Sequence, residues 1–322
     1  MTLSRLEYYL FCENQSDSGQ NLLGVGSDSL VVKVDRLSNN YEHLKKINSD
    51  NNQFLQGCYS NDHFLKIYCD PVSNILNKFD INKTVRVAIG DNRLSFDTPT
   101  LVKSRVRGAS NCILFKLNAW RHWTPCSFVK ENDIRFRDKL PAVCWRGATT
   151  GLWRDDIDDE MNSSRFNLMR LWSKYSEPIL NIGLSKFAPS TNHKLGASTR
   201  GMIQSFIRNE LTLSEQLKYR YILSLEGNDV ATNLKWIMCS NSIPVMPAPS
   251  VESWAMELTL EPWINYVPIK HDTSDLLDSI AIAEKDIRLT RRIRKHNKLM
   301  MKKYFKESSE DALMADILLR MN

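Results

Sequence analysis

The chain reads as an α/β protein with parallel sheets, arranged in two lobes. Three observations carry that expectation. Apolar runs and helical stretches alternate regularly from residue 142 onward, which is the pattern of a parallel sheet covered on both faces. The length of 322 residues, 42% of them hydrophobic, suits two medium lobes better than one small one. Several apolar runs stop abruptly in glycine and polar residues, as strands do when they emerge from a sheet.

The N-terminal third is rich in Asn, Ser and Asp between short apolar runs at 29–34 and 64–68, and it reads as strands and loops with modest helices. Clearer strands are expected at 84–89, ending in Gly90-Asp91-Asn92, and at 112–117, ending at Asn118. The stretch from Phe128 to Leu140 is highly charged, so the lobe boundary is placed near 138. Beyond it the pattern predicts a strand at 142–145, a helix at 163–175, a strand at 179–183, a helix at 213–219 and a strand at 220–225. A helix at 230–240 and a strand at 243–246 follow. A further strand is expected at 264–269, after which Asp272 to Asp275 caps a helix leading into a basic segment. The expected organisation is 1–138, 139–285, and a basic helical segment 286–322 that packs back on the first lobe.

Composition narrows the function classes. No apolar run approaches the ~20 residues needed to span a bilayer, and Arg5, Glu7, Glu13 and Asp17 interrupt any signal peptide at the start, so a cytoplasmic protein is expected. Seven cysteines are scattered without a Cys-x-x-Cys pair, which argues against a disulfide framework and a structural zinc site. Residues 286–306 hold nine Lys or Arg and one Asp, a local charge of +8 within a net charge of +6. Such a segment is either a solvated helix face or a surface for lipid head groups, a phosphorylated glycan or nucleic acid. No nucleic-acid motif accompanies it, and no Gly-x-Gly-x-x-Gly follows a strand, which removes the support for a dehydrogenase.

The most informative stretch runs from Val143 through Cys144, Trp145, Arg146, Gly147, Ala148, Thr149 and Thr150 to Gly151, with Arg154 close behind. Backbone N–H groups, hydroxyls and guanidinium groups converge there, which suits a phosphate, although an ordinary strand-to-loop turn has the same ingredients. Tyr221-Ile222-Leu223-Ser224-Leu225, followed by Glu226-Gly227-Asn228-Asp229, is a second strand ending in a polar loop, where nucleotides bind in parallel sheets. The acidic run at 155–160 has Asp-x-Asp spacing, but it precedes a helix start, where acidic groups are at home, and no metal site is expected.

Taken in order, these motifs resemble glycosyltransferase family 90, which includes protein O-glucosyl- and O-xylosyltransferases, capsule xylosyltransferases and bacterial lipopolysaccharide-modifying enzymes. Val87-Ala88-Ile89-Gly90-Asp91 is similar to the family's strand ending in a catalytic aspartate. Lys103-Ser104-Arg105, Leu117-Asn118 and Arg121-His122-Trp123 resemble its bacterial branch. The 145–151 loop with Arg154 resembles its donor-phosphate loop, and Asn181 to Ser185 its short Asp-x-Gly strand. Tyr219 to Gly227, Asn241-Ser242, Glu252-x-Trp254, Pro262-Trp263 and Tyr266-Val267-Pro268 resemble its C-terminal signature. Two departures stand out. Relatives carry an Asp before the glycine and an Arg seven positions after that Asp, where this chain has Glu226 and Asn233. A serine that some carry after the Arg-Gly pair is Ala148 here.

The resemblance implies a GT-B-like fold, two facing Rossmann-like lobes with parallel sheets and a donor cleft between them. It further implies an inverting, metal-independent transfer of a glucose- or xylose-type sugar from a UDP-sugar to a bacterial glycan or glycolipid, foremost lipopolysaccharide. No cofactor beyond the UDP-sugar is expected. Asp91 would be the general base, although an Asp-Asn turn is its structural alternative. Arg146, Gly147, Ala148, Thr149, Thr150, Arg154, Glu226, Gly227, Asn228, Asp229 and Asn233 would bind the donor, with Glu252 on the ribose; the alternative for Arg146, which follows a buried strand, is that it points away and is structural. Arg121 and His122 would meet sugar or acceptor, a core histidine being the alternative for the latter. The partners expected are the UDP-sugar, the acceptor and, through 286–306, an anionic membrane at the inner face of the cytoplasmic membrane; nucleic acid is not expected. The alternatives are a protein O-glycosyltransferase of the same family and a non-catalytic basic nucleic-acid-binding protein.

Overall fold

The computed structural model describes residues 4–10, 30–49, 62–151, 163–172, 175, 179–188 and 197–321. Along the chain the elements are α1 (Arg5–Leu10), β1 (Leu30–Val34), α2 (Tyr41–Ile47), α3 (Asp62–Lys78), β2 (Val85–Ile89), β3 (Thr100–Val102), β4 (Ser104–Val106), β5 (Cys112–Leu114) and α4 (Ala119–Asn132). There follow β6 (Leu140–Ala148), α5 (Ser164–Trp172), β7 (Leu180–Lys186), α6 (Ala197–Ser205), α7 (Leu213–Gln216), β8 (Tyr219–Leu223), α8 (Leu234–Cys239) and β9 (Ile243–Met246). The chain ends with β10 (Val251–Ser253), β11 (Val267–Pro268), α9 (Leu276–Lys285), α10 (Ile287–Lys302) and α11 (Glu307–Arg320).

Two compact units emerge. The first comprises Met1–Arg121, Ser250–Glu257 and Tyr304–Asn322; the second comprises His122–Pro249 and Leu258–Lys303. The division falls at His122, inside α4. The charged stretch near 138 lies within the second unit, where Lys139 is buried and donates to Asp133 Oδ1 at 2.6 Å. The basic helix α10 belongs to the second unit, and the residues after Lys303 to the first.

The first unit has a four-stranded sheet in the order β1-β2-β3-β5, with β1 antiparallel to β2 and the remaining pairs parallel. Its apolar run at 64–68 lies inside α3, because buried Tyr68, Val72, Ile75 and Leu76 recur at helical rather than alternating spacing. A polar network joins its separate segments. Arg105 is 2% exposed and donates Nε to Glu252 Oε1 at 2.8 Å, and its terminal nitrogens reach the carbonyls of Tyr8, Tyr9 and Cys112. The Tyr8 hydroxyl donates to the other Glu252 oxygen, and β10 pairs antiparallel with β4. Trp254 stacks on Tyr9 with ring centroids 4.1 Å apart, and its indole N–H donates to Glu310 of α11, which also takes Arg5. Burial pushes the Glu252 carboxyl above the usual carboxylate range, against the opposing pull of Arg105 and Tyr8.

The second unit is a five-stranded parallel sheet in the order β11-β9-β8-β6-β7. Counted within the unit this is 2-1-3-4-5, the doubly wound order, so the winding reverses between β6 and β8. Val143, Tyr221, Leu223, Ile243, Val245 and Val267 of the strands pack with Phe166 and Leu168 of α5 and with Leu276, Ile280 and Ile293 of α9 and α10. Strands buried on both faces read as continuous apolar runs, which is why the central strands β6, β8 and β9 stand out in the sequence. Several expected elements are shorter than anticipated: the helix at 230–240 begins only at Leu234, that at 213–219 ends at Gln216, the strand at 112–117 ends at Leu114, and the strand at 264–269 is confined to Val267–Pro268. Cys69, Cys112, Cys126 and Cys144 are buried free thiols, and burial pushes Cys69 up to about 12.

Removing the cation at Arg105 strands a buried carboxylate. Arg105→Met is expected to cost about 3–5 kcal/mol in chemical denaturation, and adding Glu252→Gln to recover part of that loss. Equal stability of Arg105→Met and wild type would show that the pair contributes nothing.

Candidate functional site

The turns that follow β6 and β8 meet where the winding of the second unit reverses, the place where open α/β sheets form a crevice at the carboxyl ends of their strands. Gly151 sits at φ +74°, and a Cβ there would lie 2.5 Å from the carbonyl carbon of Gly227 and 2.6 Å from its oxygen. A Cβ on Gly227 would lie 2.8 Å from Thr150 Oγ1 and 3.0 Å from Arg165 Nη2. Both positions exclude a side chain for reasons of space, and Gly151 also for backbone conformation. The Gly151 N–H donates to Asn228 Oδ1 at 3.0 Å, tying the turns together.

Arg165, on the first turn of α5, closes this contact. Its Nη1 donates to the Ala148 carbonyl at 2.9 Å and to Thr150 Oγ1 at 2.7 Å, while Nη2 donates to the Leu225 carbonyl at 2.8 Å. One guanidinium thereby holds both turns, and it lies 5.7 Å from the centroid of the Trp145 ring. Thr149 is wholly buried and accepts from Ala188 N–H at 2.7 Å, so its hydroxyl fixes the course of the chain after β7. The half-buried Thr150, Glu226 and Asn228 line the junction of the turns, and Asp229 accepts the Gly227 N–H through its carbonyl.

The remaining residues expected at the donor separate. Gly147 is required because a Cβ would lie 2.4 Å from the Trp145 ring, whereas Arg146 points to the opposite side of β6. Its guanidinium donates to the carbonyls of Trp145, Asn181 and Asn209 and to Asn181 Oδ1, so it braces β6 against β7 rather than facing the turns. Asn233 donates to the Leu223 carbonyl at 2.8 Å and accepts from Ser224 Oγ at 3.1 Å. In place of an arginine clamp it ties the start of α8 to the end of β8. Glu252, expected on a ribose, is 3% exposed in the first unit with both oxygens engaged by Arg105 and Tyr8. Arg154 and the acidic run at 155–160 lie outside the described residues.

In the first unit, Asp91 follows the end of β2 through Gly90 at φ +96°. Lys103, 3% exposed at the end of β3, donates to Asp91 Oδ1 at 2.5 Å. The local turn is held by Asn92, whose Oδ1 accepts the Leu94 N–H at 3.1 Å and whose amide donates to the Leu94 carbonyl. The Asp91 side chain retains 29% exposure. On α4, Arg121 is exposed and His122 is buried at 2%, the core placement for that histidine. Among the described residues, no group of three His, Cys, Asp or Glu is placed to hold a metal ion.

Comparison with known proteins places the chain in a family. The model of Glycosyl transferase family 90 matches residues 116–316, well over half of the chain, and the protein belongs to that family. The match begins after Asp91. The O-glucosyltransferase LpsA of Dichelobacter nodosus is 33% identical over 213 residues, covering 66% of this chain and 58% of that protein. Protein O-glucosyltransferase 3 of Homo sapiens is 33% identical over 84 residues, 26% of this chain and 16% of that one. Among solved structures, Anabaena Alr3699/HepE in complex with UDP and glucose aligns with a TM-score of 0.42 and 11% identity, covering 70% of this chain and 64% of that one.

The two glycines give a structural test. Gly151→Ala is expected to destabilise the protein by roughly 1–3 kcal/mol, because a strained backbone and a clash with Gly227 coincide. Gly201→Ala, in α6 with open space around the added methyl, is expected to be neutral or stabilising. Denaturation midpoints of the two variants compare them directly, and a Gly151→Ala protein as stable as wild type would remove the constraint.

Proposed function

We propose that the protein is an inverting glycosyltransferase that moves a sugar from a UDP-sugar to a hydroxyl of a bacterial surface-glycan precursor, foremost lipopolysaccharide. The observation that carries this reading is the pair of glycine turns, locked by Arg165 at the switch point of the parallel sheet, in a chain of family 90. Thr150, Glu226 and Asn228 offer polar contacts at that junction, and backbone N–H groups suit a diphosphate there. Arg154 follows the first turn in sequence and supplies positive charge to offset the negative charge that the leaving diphosphate gathers. The names of both relatives support glucose as the sugar.

Inversion requires a base that takes the proton of the acceptor hydroxyl while its oxygen attacks the anomeric carbon and the nucleoside diphosphate departs from the opposite face. Asp91 is the candidate base. Its turn is maintained by Asn92, and Lys103 fixes one carboxylate oxygen, which orients the group. The acceptor is a glycolipid reached at the inner face of the cytoplasmic membrane. The identity to human Protein O-glucosyltransferase 3 favours a second reading, a protein O-glycosyltransferase of the same family.

The test is transfer from a panel of UDP-sugars to a glycolipid extract and, in parallel, to a small folded protein acceptor. Asp91→Asn is expected to lower turnover roughly 10²–10⁴-fold while leaving UDP binding near that of wild type. A melting curve separates loss of the base from loss of the Lys103 ion pair. Near-normal turnover by a folded Asp91→Asn protein would remove Asp91 from the chemistry, and no transfer from any UDP-sugar by the wild type would overturn the reading as a whole.

A further inference from the structure

Helix α10 presents two faces of different chemistry. Leu289, Thr290, Ile293, Asn297 and Met301 are buried, and Asn297 is locked to Asn265 by hydrogen bonds in both directions at 2.7 and 3.1 Å. Two of its cations belong to the fold: Arg294 lies 4.1 Å from the centroid of the Phe136 ring, and Lys298 donates to Asn241 Oδ1 at 2.6 Å. The other side carries Ile287, Arg288, Arg291, Arg292, Lys295, Leu299 and Lys302, all exposed. At 100° per residue these seven fall within roughly 140° of arc.

The helix contains no acidic residue. The acids beside its start are committed, since Asp286 accepts the N–H groups of Arg288 and Leu289, and Glu284 takes Arg220 at 2.8 Å. Arg288, Arg291, Arg292, Lys295 and Lys302 make no ion pair among the described residues. Ile287 is 73% exposed and Leu299 54%; they lie twelve residues, or roughly 18 Å, apart along the helix and about 120° apart around it, flanking most of the outward cations. A phosphodiester backbone could pair with the cations but offers nothing to the two aliphatic side chains. A lipid leaflet offers both partners, phosphates at the surface and hydrocarbon just beneath.

We infer that α10 is a membrane-surface helix, lying in the plane of an anionic leaflet with Ile287 and Leu299 inserted and its five outward cations on the headgroup phosphates. This rests on the composition and exposure of one helix and not on the transferase reading. Any acceptor carried in the membrane would then be met at the surface where it resides.

Co-sedimentation of the full chain with vesicles of phosphatidylcholine, with and without phosphatidylglycerol, tests it. Binding is expected only with the anionic lipid and is expected to fall at high salt, because exposed charges are screened within about a Debye length. Arg291→Ser and Lys295→Ser are each expected to weaken it about fivefold. Ile287→Ser and Leu299→Ser leave the charge unchanged and are each expected to weaken it by about tenfold. A duplex oligonucleotide should not displace the protein from vesicles. Binding equally to neutral vesicles, no binding to either vesicle, unaltered binding by the two serine variants of the aliphatic residues, or displacement by the oligonucleotide would each overturn the inference. All four positions are exposed, and none belongs to the candidate donor or base sites, so transfer to a water-soluble acceptor reports separately on the transferase reading.

Discussion

Gly151 and Gly227 let the turns after β6 and β8 approach until only hydrogen fits at either Cα, and the Arg165 guanidinium closes the contact by reaching Ala148, Thr150 and Leu225 together. The properties of the candidate donor site depend on that contact. Without it the turns could separate, and the hydroxyl and amide groups of Thr150 and Asn228 would lose their common orientation. The parallel order of β6 and β8 places the two turns side by side, and the hydrophobic core around Trp145, Phe166 and Leu223 fixes the strands that carry them. A site built from rigid turns on a packed sheet loses little entropy when a ligand arrives.

The first unit reaches rigidity by a different route. Its segments come from three distant parts of the chain, and buried polar groups hold them: Arg105 with Glu252 and Tyr8, and Glu310 with Arg5 and Trp254. Buried ion pairs are weak sources of net stability but severe penalties when half removed, so such a network specifies which segments meet. Asp91 and Lys103 extend the pattern at the ends of β2 and β3, with one difference: the Asp91 side chain is not sealed. Under the proposed function, that exposure is what lets an acceptor hydroxyl reach the carboxylate, which the buried cation orients.

Much of this was legible in the sequence. Strands β6, β8 and β9 were readable because burial on both faces writes continuous apolar runs, and the glycines after β6 and β8 were readable as strand-to-loop signals. Arg165 was not, because nothing near it in sequence marks it; its role depends on where α5 brings its first turn. Arg146 shows the converse. Strand alternation places it opposite Trp145 and Gly147, and pleat parity alone would have separated it from the turn it precedes. Glu252 looks like a nucleotide contact in the sequence because its partner Arg105 lies far away along the chain, and a carboxylate destined for burial looks like any other. Asn233 fills a position where relatives carry an arginine, and only the structure reveals that its amide instead ties Ser224 and Leu223 to the start of α8.

Hydrogen–deuterium exchange with and without UDP addresses the donor site most directly, since a ligand that binds the folded state slows exchange where it suppresses local opening. Slower exchange is expected in peptides covering 147–151 and 225–231, with little change in the first unit around 104–106 and 251–253. Protection confined to other segments, or identical exchange in the two turns at saturating UDP, would contradict the assignment of the glycine turns as the nucleotide site.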